Sequence, residues 1–264
     1  MRRQCRVGVL GHGAIGSRVA ADIAAGLVPG ASLAGIMVRS ELRDAPARRL
    51  SLSAALTECD VIVECAGQQA LESYGEQILS SGTDLLMTSI GALADPRLHT
   101  KLHAAFPGRL FYTSGAIGGL DLLAAGARMG DYQRVTVTTR KLPHSLIQPW
   151  MSEKQIAQLE QATAASEVFS GSARDAAQLF PKSLNVAAAV ALAIGDWSVV
   201  QVRLLADPAA RLTEHRIHAK GTCGEYDFTI QNEPAAENPR TSGVVPYAVL
   251  RSLNSIVAQS GGLI

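Results

Sequence analysis

One short turn constrains this chain more than anything else in it. Gly11-x-Gly13-x-x-Gly16 stands directly behind a brief apolar run, Arg6 to Leu10, and directly ahead of a helical pattern in which Ile15, Val19, Ile23 and Leu27 recur at every fourth residue. Pro29-Gly30 stops that pattern, and Leu33 to Val38 reads as a second strand. Strand, glycine turn, helix and strand together make a cradle for a pyrophosphate. The first glycine permits the tight turn, the second lets the backbone approach the phosphates, and the third lets helix and strand pack closely. The helix N-terminus adds unpaired N–H groups and the positive end of its dipole. The candidate cofactor residues here are Gly11, Gly13, Ala14, Ile15 and Gly16.

The alternation continues. Ser51 to Glu58 reads as a helix, Asp60 to Cys65 as a strand, Gln69 to Ser80 as a helix and Asp84 to Ser89 as a strand. Pro96 to Ala105 is helical, and Arg109 to Thr113 is a strand. Strands alternating with helices specify a parallel sheet covered on both faces, so residues 1–113 read as a Rossmann dinucleotide-binding domain. The end of its third strand adds Cys65 and Ala66 to the cofactor candidates. NAD sites usually carry Asp or Glu at the end of the second strand, but here the chain reads Val38-Arg39-Ser40. Arg39 and Ser40 suit a 2′-phosphate, because guanidinium binds phosphate bidentately, while Glu41 is close enough to serve a ribose. The expected cofactor is NAD or NADP.

Residues 114–236 change style. Leu120 to Met129 is helical, Arg134 to Arg140 alternates as a half-exposed strand does, and Ala173 to Phe180 and Asn185 to Ile194 are helical. Ser198 to Leu205, His215 to Lys220 and Glu225 to Gln231 are strand candidates. This half reads as an α+β domain on a largely antiparallel sheet. Residues 237–264 read as a C-terminal segment that can pack back on the first domain, with a helix from Thr241 to Gln259 capped by Thr241 or Ser242. Pro246 would displace or kink the start of that helix.

Composition excludes other classes. Lys and Arg number 24 against 23 Asp and Glu, so the basic excess typical of nucleic-acid binders is missing. Aromatics are 5%, too few for base-stacking platforms. The longest apolar stretch, Val186 to Ile194, falls far short of the ~20 residues of a membrane-spanning helix, and Val7 to Leu10 is too short for a secretory leader. Cys5, Cys59, Cys65 and Cys223 form no CxxC pair, which fits reduced thiols in a cytoplasmic protein and no structural metal. His99 and His103 share a helix face but have no third ligand nearby in sequence.

Seven segments, in order, carry a family resemblance. They are GHGAIG at 11–16, DVIVECAGQQALESYG at 60–75, LMTSIGALAD at 86–95, SGAIGGLD at 114–121, FPKSLNVAAAVALA at 180–193, EHRIHAKGTCGEYDF at 214–228 and ENPRTS at 237–242. Through them the chain resembles the L-aspartate dehydrogenase family. The resemblance implies a Rossmann domain followed by a domain for substrate and dimer contacts. It also implies NAD(P)-dependent oxidation of L-aspartate to iminoaspartate, or in reverse the reductive amination of oxaloacetate with ammonia, as a supply to NAD biosynthesis. It implies a cytoplasmic homodimer with no nucleic-acid or membrane partner. It maps nicotinamide contacts onto Ala116 and Asn185, and a catalytic histidine onto His215.

Chemistry asks for the same kinds of residue. Taking hydride from an amine-bearing carbon requires that the ammonium first lose a proton, and histidine is the side chain whose ordinary pKa best suits that task. His215 and His218 have opposite parity in a strand, so only one can enter a site; periodicity leaves the choice open, and the resemblance selects His215. The substrate carboxylates need cations or N–H donors, for which Lys141, Lys182, Thr241 and Ser242 are the candidates, with Arg140 and Arg240 beside them. Two alternatives stand. One is a dehydrogenase or imine reductase for another small amino acid; the other is a non-catalytic protein that binds nicotinamide cofactors as a signal.

Overall fold

The computed structural model describes residues 4–39, 41–42, 45–181, 184–236 and 238–258. The chain divides into two compact units. One takes in the residues up to Gly115 together with a C-terminal helix, Val245–Ala258; the other runs from Ala116 to Val244.

The first unit alternates strand and helix: β1 (Cys5–Leu10), α1 (Ala14–Ala24), β2 (Ala31–Met37), α2 (Leu52–Glu58), β3 (Val61–Glu64), α3 (Gln68–Ser80), β4 (Asp84–Met87), α4 (Pro96–Leu102) and β5 (Leu110–Tyr112). The sheet order is β2-β1-β3-β4-β5 and every pairing is parallel. β3 is buried along its whole length, as a strand covered on both faces must be. The order reverses between β1 and β3, so the crevice outside the carboxyl ends of these two strands is where this architecture receives a ligand. The C-terminal helix places Val249 and Leu253 in the same core as Val19, Ala20 and Ile23 of α1. Each of the buried Val, Ile and Leu side chains contributes roughly 1.5–3 kcal/mol relative to exposure.

The second unit contains α5 (Leu120–Met129), β6 (Tyr132–Lys141), α6 (Glu153–Glu160), β7 (Ser166–Ser172), α7 (Ala173–Leu179), α8 (Asn185–Ile194), β8 (Val200–Ala206), β9 (Thr213–Gly221), β10 (Gly224–Asn232), β11 (Pro234–Ala235) and β12 (Asn238–Ser242). Its main sheet runs β10-β9-β6-β8-β7, antiparallel except for the β6–β8 pair. The expected fold class, a Rossmann parallel sheet and an α+β domain on a largely antiparallel sheet, is therefore present, with differences of detail. α6 and β7 have no counterpart in the sequence reading; a capping box formed by Ser152 and Gln155 opens α6. The C-terminal helix starts at Val245, not Thr241. Thr241 and Ser242 instead lie in β12, which pairs with β11, and Pro246 then falls in the first helical turn, where a missing N–H costs nothing.

Candidate active site

In the first unit the glycine turn has the geometry its sequence requires. Gly11 has φ +100°, and a Cβ there would lie 2.7 Å from the Cys65 carbonyl oxygen and 2.9 Å from Ala66 Cα. A Cβ on Gly16 would strike the Gly11 carbonyl. These two glycines serve internal packing, and they bring Cys65 and Ala66 against the turn. Gly13 is different: a Cβ there would meet nothing within 4 Å. It keeps the mouth of α1 clear rather than accommodating a neighbour, and no side chain caps that helix. An open approach to an uncapped helix N-terminus fits a pyrophosphate, so the residues present suit a dinucleotide. Burial holds the Cys65 thiol protonated, so it offers shape rather than a nucleophile.

Arg39 follows β2 and is exposed. Arg49 donates to the Val38 carbonyl at 3.2 Å and to the Arg39 carbonyl at 3.2 Å. A second guanidinium thus flanks the strand end, a residue the sequence reading missed because it lies ten positions away across a loop. Ser40 lies outside the described residues.

In the second unit, buried polar side chains gather on one face of the main sheet. His215 on β9 stands opposite Thr139 on β6, and its Nδ1 lies 2.9 Å from Thr139 Oγ1. Lys141, two residues beyond Thr139, shares that face, and so does Thr213, two before His215. All four are buried, His215 to 1% exposure and Lys141 to 4%. Lys141 Nζ donates to the Arg240 carbonyl at 2.8 Å, which brings β12 across this end of the sheet. Ser242 is buried, and Thr241 Oγ1 accepts from Asn238 at 3.4 Å.

Burial, with the Lys141 charge second, pushes the His215 imidazole down to about 3. Burial pushes the Lys141 ammonium down to about 8. The imidazole is therefore neutral at physiological pH, with one nitrogen occupied by Thr139 and a cation close by. Such an arrangement can accept a proton and receive an anion. His218 points the other way, with Nδ1 3.1 Å from Asp227 and Nε2 3.6 Å from Glu225.

Ala116 joins the same region. β10 pairs Ile230 with His215, and Asn232, two residues on, donates from Nδ2 to the Ala116 carbonyl at 2.8 Å. The loop ahead of α5 is thereby tethered to the face that carries the histidine. Asn185 is the first residue of α8. Lys182 lies outside the described residues. Arg140 turns to the opposite face and pairs with Asp207 at 3.2 Å, because its parity differs from that of Lys141. Arg240 contributes its backbone carbonyl to Lys141 and its guanidinium to the Ile147 carbonyl at 3.4 Å. Thr139 and Asn232 were absent from the sequence reading; strand register would have disclosed Thr139, once β6 and β9 were known to pair. Among the described residues, no group of three or more His, Cys, Asp or Glu could hold a metal ion.

Comparison with known proteins gives these sites a setting. A family model described as the aspartate dehydrogenase C-terminal domain matches residues 121–256. One described as the homoserine dehydrogenase NAD-binding domain matches residues 11–109. An L-aspartate dehydrogenase of Ruegeria pomeroyi is 39% identical over 259 residues, covering 94% of this chain and 91% of the relative. Another, from Serratia proteamaculans, is 34% identical over 268 residues, covering 98% and 99%. The crystal structure of an aspartate dehydrogenase from Thermotoga maritima superposes with a TM-score of 0.74 at 27% identity, covering 99% of both chains. An archaeal homoserine dehydrogenase in complex with NADPH shares the fold, with a TM-score of 0.59 at 11% identity.

Proposed function

The chain belongs to the L-aspartate dehydrogenase family, and from that premise we propose that it oxidises L-aspartate to iminoaspartate with NAD or NADP, His215 serving as the proton acceptor. The observation that carries this role is the buried Thr139–His215 pair beside Lys141. The glycine turn and the N-terminus of α1 hold the pyrophosphate, Arg39 with Arg49 recognises the adenosine ribose or its 2′-phosphate, and Ala116 and Asn185 receive the nicotinamide. When bound, the cofactor supplies the hydride acceptor at its nicotinamide ring.

The protein's residues do the rest. With Nδ1–H donating to Thr139, His215 presents an unprotonated Nε2. That nitrogen takes a proton from the α-ammonium, directly or through a water, so that the nitrogen lone pair can form the C=N bond as the Cα hydride departs. An imidazole held near pKa 3 is by itself a weak base. Two substrate carboxylates entering that dry site raise it, because a nearby anion favours the imidazolium. Lys141 holds one carboxylate, with Thr241, Ser242 and Lys182 as further donors. A buried cation receives an anion more strongly than an exposed one does. In reverse the same residues aminate oxaloacetate reductively, and the imine is a precursor that NAD biosynthesis can use. The reading includes a cytoplasmic homodimer without nucleic-acid or membrane partners; light scattering on the purified protein checks the dimer.

The direct test is reduced-nicotinamide absorbance on mixing the protein with L-aspartate and either cofactor. A signal with L-aspartate and none with D-aspartate, L-glutamate or L-alanine is expected. A signal with a different amino acid alone would transfer the same machinery to that substrate.

A further inference from the structure

Glu64 ends β3 with a fully buried side chain. Its Oε1 accepts from the backbone N–H of Ala66 and of Gly67, each at 2.7 Å, and from Ser89 Oγ at 2.9 Å. Its Oε2 accepts from the backbone N–H of Thr88 at 3.2 Å and of Ser89 at 3.0 Å. One carboxylate thus ties the turn behind β3 to the turn behind β4. Burial raises its pKa, and these hydrogen bonds oppose the rise. The donor set decides the ionisation state. Four of the five partners are backbone N–H groups, which cannot accept a proton, so a protonated carboxyl would forfeit bonds that the carboxylate keeps. The charge is held by neutral dipoles: the four backbone N–H groups and the Ser89 hydroxyl.

The position gives this charge a use. Adenosine ribose belongs at the end of β2 and pyrophosphate at the turn after β1. The ends of β3 and β4 are left for the nicotinamide half, and these are the ends Glu64 joins. The turn it holds also floors the glycine loop, since the Cys65 carbonyl and Ala66 Cα lie against Gly11. We propose that Glu64 is a positioning residue for the nicotinamide half of the cofactor, and that its carboxylate, held by neutral donors, favours the cationic oxidised ring over the neutral reduced one. The proposal rests on the dinucleotide reading of the glycine turn, and binding of ADP-ribose to the wild-type protein tests that reading separately.

The experiment is calorimetric titration of wild type and Glu64→Gln with NAD, NADH and ADP-ribose. Gln keeps the shape but turns an acceptor into a donor toward Thr88 and Ser89, and it removes the charge. ADP-ribose affinity should stay within about twofold, NAD should weaken about tenfold or more, and NADH should weaken less, so that the ratio of the two dissociation constants shifts by about threefold or more. Equal weakening of all three ligands would reduce Glu64 to a fold-maintaining residue and overturn the proposal, as would no change in any. Should Glu64→Gln fail to fold, Ser89→Ala removes one donor and leaves the charge in place. NAD and NADH should then weaken together by about twofold to threefold with ADP-ribose unmoved, and loss of ADP-ribose affinity in step with them would overturn the positioning role.

Discussion

The two sheets build their sites from different material. In the parallel sheet the proposed binding surface is backbone: a glycine at φ +100°, an open position at Gly13, the first turn of α1 and N–H groups gathered on one buried carboxylate. In the mixed sheet the proposed working groups are side chains on a single face, His215, Thr139 and Lys141, set by strand register. A backbone site tolerates many sequences provided its glycines remain. A side-chain site depends on single atoms. Substitutions in the second should therefore alter chemistry while leaving cofactor binding intact, and substitutions in the first should do the reverse.

The largest test of that separation is His215→Asn. Turnover should fall by about 10³, within the range for loss of a general base, while NAD affinity stays within about twofold. Unchanged turnover would remove His215 from the mechanism. The same residue carries a pH signature. Its folded pKa, about 3, lies below the ordinary 6.5, so the unfolded chain binds the proton and the folded one does not. Stability from this group is complete above pH 6.5 and is lost as pH falls toward 3, a change on the order of 5 kcal/mol. Melting temperature against pH should show a steeper acid limb in wild type than in His215→Asn.

Lys141→Met comes next. The swap fills a similar volume and removes the buried cation. The KM for L-aspartate should rise roughly 10- to 100-fold, the worth of a charge-assisted hydrogen bond, with little change in cofactor affinity. Equal KM values in the two proteins would assign the carboxylates to other donors. Gly13→Val tests the opposite region. A side chain there meets open space, so melting should hold steady while cofactor affinity falls about tenfold. A drop in melting temperature would mean that Gly13 serves the fold rather than the ligand.

This contrast also explains what could be read from the sequence. The Rossmann half was legible because its requirements are local: the glycines, the helix they open and the β-prone run DVIVEC all sit within short windows. His215 was legible as one of two candidates by parity, and the structure shows the two facing opposite ways. Thr139 and Asn232 were not legible, since each acts across strands far apart in sequence. Glu64 looked like an ordinary strand end, and only folding brings Thr88 and Ser89 to its carboxylate. The last two residues of β12, Thr241 and Ser242, were misread as the start of the helix because they make good caps; pairing with β11 outweighed that local preference.

Thr139→Val is the finest probe of the comparison. It deletes one oxygen and almost no volume, leaves β6 paired with β9, and strips His215 Nδ1 of its partner at 2.9 Å. The ring stays buried in the same strand, so stability should change little beyond the loss of one hydrogen bond. What changes is the orientation of the imidazole and the preference for the tautomer with a proton on Nδ1. A hydrogen bond of about 1 kcal/mol, spent on orienting the base, corresponds to about a fivefold loss in kcat, with the KM for the cofactor unmoved. Thr139→Ser retains the oxygen and should recover most of that loss. If Val and Ser behave alike, strand register alone aims the histidine, and the side-chain site would prove as tolerant as the backbone one.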